Sequence, residues 1–123
     1  MPTNAKKILI IEDEKPMARA LELKLTHAGF EAVSVSNGEK GIEMLEEQSF
    51  SLILLDLVMP QTNGFIVLET LKQKKINTPV IVLSNLSQDD DEERVRALGA
   101  KEFFIKSNTP IAAIVAKVEE FLK

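Results

Sequence analysis

Leu52-Ile53-Leu54-Leu55 is an unbroken apolar run that ends abruptly on Asp56. A strand with apolar side chains on both faces has to be covered on both faces, which is the situation of a central strand in a parallel sheet. Pro60 and Asn63-Gly64 then signal a turn, and a helical pattern follows. Open α/β sheets hold their ligands outside the carboxyl ends of such strands, so Asp56 stands where function is built. A lone Asp closing a strand is also common, and the run alone leaves both readings open.

The remaining segments repeat the same plan. Lys7 to Ile11 is a second apolar strand running directly into Glu12-Asp13-Glu14. Pro16 suits the first helical position, Met17, Leu21, Leu25 and Ala28 recur at helical spacing, and Gly29 supplies a left-handed stop. His27 lies near that helix end, where a cation suits the dipole. A strand over Glu31 to Val35 is followed by an Asn37-Gly38 turn and a helix carrying Ile42, Met44 and Leu45. Gly41 inside that helix costs about 1 kcal/mol against Ala, which points to close packing. A third helix runs from about Gly64 to Lys74, and Pro79 opens the strand Val80 to Leu83, ending at Ser84. The acidic run Asp89-Asp90-Asp91-Glu92-Glu93 reads as a helix start capped by Ser87 or Asp89, with a metal site as the alternative. Gly99 stops this helix, a fifth strand covers about Glu102 to Ile105, and Ile111, Ile114, Val115, Val118 and Leu122 mark a last amphipathic helix. Five β–α units predict a doubly wound five-stranded parallel sheet with helices on both faces and the order 2-1-3-4-5.

If all five strands are parallel, Glu12, Asp13, Asp56 and Lys106 converge at one sheet edge. Clustered carboxylates repel unless a cation sits among them, and oxygen-only ligands suit a hard ion, foremost Mg²⁺. With 123 residues the chain reads as one domain spanning 1–123, with no output domain. Its 15 basic and 19 acidic residues give a net charge of −4, which speaks against direct nucleic-acid binding. The absence of Cys, of a signal-peptide core and of an apolar run of about 18 residues leads to an expectation of a cytoplasmic protein without a membrane span.

Glu12-Asp13, Asp56-x-x-Met59-Pro60-x-x-Asn63-Gly64, Ser84 after strand four and Lys106 after strand five together resemble the receiver domains of two-component response regulators. The resemblance implies a phosphoacceptor that takes its phosphoryl group from a histidine kinase or phosphotransfer protein and signals to a downstream protein target. It assigns Asp56 as the phosphoacceptor and implies Mg²⁺ held by Asp13, Asp56 and the main-chain carbonyl of Val58, with Glu12 helping through water. Lys106 would neutralise phosphoryl charge, Ser84 would turn to the new phosphoryl oxygen, and Phe103 would be the aromatic switch. It also implies a switch that catalyses only its own phosphorylation and dephosphorylation. A pseudo-receiver, which keeps the fold as a protein-interaction module without taking phosphate, is the alternative, although such chains usually lose an acid or the Lys. An aspartyl-phosphate phosphatase would need an Asp at the position of Val58, and a flavin site would need a phosphate loop in place of Glu12-Asp13-Glu14. Several residues depart from the family pattern: Asn85 is larger than usual and would narrow access to the phosphate, and Ser107 replaces a frequent proline, leaving the isomer of the preceding bond open. Val58 and Leu86 are apolar, which implies a long-lived phospho-Asp56, and Phe103 lacks a hydroxyl, so it would switch by packing.

Overall fold

A computed structural model describes residues 6–57, 59, 63–85 and 89–122, without the side chains of 89–91. Along the chain come β1 (Lys7–Ile11), α1 (Lys15–His27), β2 (Glu31–Val35), α2 (Gly38–Glu47), β3 (Leu52–Asp56) and α3 (Gly64–Gln73). They are followed by β4 (Val80–Ser84), α4 (Asp89–Ala97), β5 (Glu102–Ile105), a short 3₁₀ turn over Lys106–Asn108 and α5 (Ile111–Phe121). All strand pairs are parallel, and the sheet order is β2-β1-β3-β4-β5, as expected.

Strand alternation divides the core into two layers. Leu9, Ile11, Ile53, Leu55, Val80 and Val82 point to one side, packed with Leu45 of α2, Leu68 and Leu71 of α3 and Val95 of α4. Ile8, Ile10, Leu52, Leu54, Ile81 and Leu83 point to the other, against Leu21 and Leu25 of α1 and Ile114 and Val118 of α5. Every residue of β3 and β4 is buried. Each fully buried Leu or Ile contributes about 1.5–3 kcal/mol of transfer free energy, so the apolar run Leu52–Leu55, buried on both faces, joins the two layers of the core.

Local signals resolve in detail. Gly29 (φ 98°) and Gly99 (φ 105°) occupy left-handed positions after α1 and α4, as their placement predicted. Asn37 and Asn63 act as helix N-caps: Asn37 Oδ1 accepts from Lys40 N–H at 2.9 Å, and Asn63 Oδ1 from Ile66 N–H at 3.0 Å. Their following glycines are the first residues of α2 and α3, so the expected turns are helix entries. α1 begins one residue before Pro16, which stands at its second position. α4 starts at Asp89, so Asp89 is its first helical residue rather than its cap, and Ser87, the other candidate cap, lies outside the described residues.

Candidate functional site

The site follows from strand register. Ile11 of β1 is level with Leu55 of β3, Asp56 with Leu83 of β4, and Ser84 with Ile105 of β5. The residues that leave these strands, Glu12, Asp13, Asp56, Ser84 and Lys106, therefore meet at one carboxyl edge. Glu12 is 3% exposed, Asp56 4% and Ser84 0%, burial that polar groups tolerate only with partners.

Lys106 supplies much of that partnership. Its Nζ lies 2.7 Å from Glu12 Oε1 and 3.5 Å from Asp56 Oδ2, and it also donates to Glu14 Oε1. Burial alone would push the Lys106 ammonium towards its neutral form; the hydrogen bonds to Glu12 and Glu14 and the charges of Asp56 and Glu12 outweigh it, holding the pKa above that of an ordinary lysine. The role of Glu14 as a counter-ion was not read from the sequence, where it stood only as the third acid of a loop. Glu12 also accepts from Glu14 N–H at 3.1 Å through Oε2, bracing the acidic loop.

Glu12, Asp13 and Asp56 offer one carboxylate oxygen each within 4.8 Å of one another. Lys106 pairs with Glu12, Glu14 and Asp56, and Asp13 Oδ1 is a buried oxygen without a hydrogen-bond donor among the described residues. An all-oxygen set with an unsatisfied acceptor fits a hard divalent cation. Val58, whose carbonyl was expected to complete the set, lies outside the described residues, as does Leu86.

Ser84 and Phe103, the switch residues that the resemblance implied, stand on the paired strands β4 and β5. Val82 is level with Phe103 and Ser84 with Ile105, so alternation puts Ser84 and Phe103 towards the same layer. Phe103 is half-buried and packs against the cluster that contains Val95 of α4. No described peptide bond is cis, so the Lys106–Ser107 bond is trans.

Gly64 shapes the site from beneath. Its N–H donates to Leu57 O at 2.9 Å, and a Cβ there would stand 2.8 Å from Leu57 Cα and 2.9 Å from Asp56 O. Glycine is needed at this position for close approach of two backbones, which its place in a turn signal did not distinguish from a conformational role.

The response regulator receiver domain model matches residues 8–119. The chain belongs to this family. The receiver is 38% identical over 100 residues to the cell cycle transcriptional regulator CtrA of Caulobacter vibrioides, covering 81% of this chain and 43% of that one. It is 34% identical over 100 residues to the cell cycle response regulator CtrA of Brucella abortus, with the same coverage of 81% and 43%. It thus spans less than half the length of these curated relatives. Among solved structures, it is similar to the signal receiver domain of a signal transduction histidine kinase from Syntrophus aciditrophicus, with a TM-score of 0.83, 30% identity, and coverage of 96% of this chain and 90% of the other. The receiver domain of Francisella response regulator 1452 shares the fold with a TM-score of 0.89 at 24% identity, covering 94% of this chain and 95% of that one. No helix among the described residues is long and apolar enough to cross a membrane.

Proposed function

We propose that the chain works as a single phosphorylation-dependent receiver unit in two-component signalling, accepting a phosphoryl group on Asp56 from the phosphohistidine of a sensor histidine kinase or phosphotransfer protein. The observation that carries this reading is the meeting of Asp56, Glu12 and Asp13 with Lys106 at one sheet edge, with ligand oxygens within 4.8 Å of one another and Lys106 Nζ 3.5 Å from Asp56. A pseudo-receiver lacking phosphate chemistry would have no use for this complete set.

Asp13 and Asp56, with the Val58 carbonyl, would hold Mg²⁺, and Glu12 would support it through water. When bound, the ion neutralises phosphoryl and carboxylate charge. Asp56 attacks phosphorus through a carboxylate oxygen; the P–O bond forms, the P–N bond breaks, and the imidazole leaves with a proton taken from solvent or the partner. Lys106 moves from its three carboxylates to the incoming phosphoryl oxygens, so the protein's work is positioning and charge stabilisation. Ser84 then hydrogen-bonds a phosphoryl oxygen, and Phe103 repacks towards the space it leaves. Because Phe103 adjoins the cluster holding Val95, the change reaches α4 and β5 as a population shift between two packings. That altered face meets a downstream protein target in the cytoplasm, and the unit itself contacts no nucleic acid.

The test is labelling with a small acyl-phosphate donor. Wild-type protein should take one label that requires Mg²⁺, and Asp56→Asn, which keeps the shape and removes the nucleophile, should take none. Label on another residue, or full labelling in EDTA, would refute the mechanism.

A further inference from the structure

The loops that carry Ser84 and Lys106 are joined by a bond that strand pairing does not account for. β4 and β5 run in register up to Ser84 and Ile105, where the ladder ends. Beyond it, Ser107 N–H donates to Asn85 Oδ1 at 3.1 Å. The bond adds a side-chain rung directly after the two residues that face the phosphoryl position. It depends on both departures from the family pattern noted in the sequence. A small side chain at 85 could not reach, and a proline at 107 would have no N–H to give.

We propose that Asn85 is a positioning residue for Lys106. By holding the Ser107 N–H it fixes the backbone immediately after Lys106, at the start of the 3₁₀ turn Lys106–Asn108, and so the base from which Nζ reaches Glu12 and Asp56. Lys106 carries four side-chain rotors, and a fixed base restricts where its ammonium spends its time. The same bond makes the Ser84 and Lys106 loops move as one, because Asn85 follows any shift of Ser84. Its functional side rests on the reading of Asp56 as phosphoacceptor; its structural side does not.

Three measurements separate these. Amide exchange by NMR should be protected at Ser107 in the wild type and in Ser107→Ala, which keeps the backbone donor, and should rise about fivefold in Asn85→Ala, the loss expected for one solvent-exposed hydrogen bond. The Lys106 ε-methylene resonance should shift in both Asn85→Ala and Ser107→Pro. With a saturating acyl-phosphate donor, Asn85→Ala should slow labelling of Asp56 about fivefold with unchanged half-saturation, and the double variant with Ser107→Pro should be no slower than either single change. In a Lys106→Met background Asn85→Ala should have no further effect, which a general structural role would not predict. Equal Ser107 exchange in wild type and Asn85→Ala, an unmoved Lys106 resonance, or an undiminished effect in Lys106→Met overturns the proposal. If wild type takes no label at all, the phosphoacceptor reading falls, and the two NMR measurements still decide the positioning role.

Discussion

Replacing Gly64 with Ala tests how tightly the backbone beneath Asp56 is built. The added methyl would stand 2.7 Å from Leu57 Cδ2, 2.8 Å from Leu57 Cα and 2.9 Å from Asp56 O, against about 3.5–4.0 Å for an ordinary carbon contact. Leu57 Cδ2 is the end of a side chain, but the other two atoms belong to the main chain of Asp56, the last residue of β3, and of Leu57 after it. Relief therefore requires α3 to back off, or Asp56 and Leu57 to shift by a fraction of an ångström. Overpacking of this kind costs about 1–3 kcal/mol, and the helix-propensity gain of Ala over Gly, at most about 1 kcal/mol, is small at the first residue of a helix. A net loss of about 1–2 kcal/mol should appear in urea denaturation without a change in m-value. The same displacement moves the Asp56 carboxylate, so the rate of labelling should fall as well. Gly41→Ala is the control: its methyl meets Ile11 Cδ1 at 2.5 Å and Ile11 Cγ1 at 2.9 Å, both atoms of a buried side chain rather than of the main chain. Its gain in mid-helix propensity offsets more of the strain, and it should cost less than Gly64→Ala. A neutral or stabilised Gly64→Ala, or equal losses at the two positions, would refute the claim that backbone approach dictates glycine at 64.

Lys106→Met should lower stability at neutral pH by about 3–5 kcal/mol, because it leaves the buried carboxylates of Glu12 and Asp56 without the cation they share. The folded chain holds the Lys106 proton more tightly than the unfolded one, so this stabilisation is complete below the unfolded value of about 10.4 and drains as pH climbs towards the higher folded value. The gap between wild type and Lys106→Met should therefore narrow in alkaline denaturation series above about pH 10.4, and a gap that widens there would contradict the charge assignment. Mg²⁺ at ten times its dissociation constant should add about 1.4 kcal/mol to wild-type stability and much less to Asp13→Asn, read from thermal shifts; equal gains would remove Asp13 from the ligand set. Val58→Asn combined with Leu86→Glu should shorten the life of phospho-Asp56 by about 10- to 100-fold, followed as loss of label, and an unchanged decay would show that these side chains do not control water access.

The sequence alone determined the β–α alternation, the sheet order and the convergence of Glu12, Asp13, Asp56 and Lys106 on one edge. Each rests on a local signal: apolar runs too continuous for one-sided strands, glycines at helix stops, and polar residues placed immediately after strands. Given parallel strands and right-handed crossovers, those signals leave little freedom. What only the tertiary structure decided involves pairs far apart in the chain. Lys106 is shared among Glu12, Glu14 and Asp56, Asn85 is spent on Ser107 N–H, and Gly64 is required by the backbone of Asp56 and Leu57. None of these is written in periodicity or propensity, because each depends on the distance between two loops or two backbones, and that distance is set by how the helices pack over the sheet.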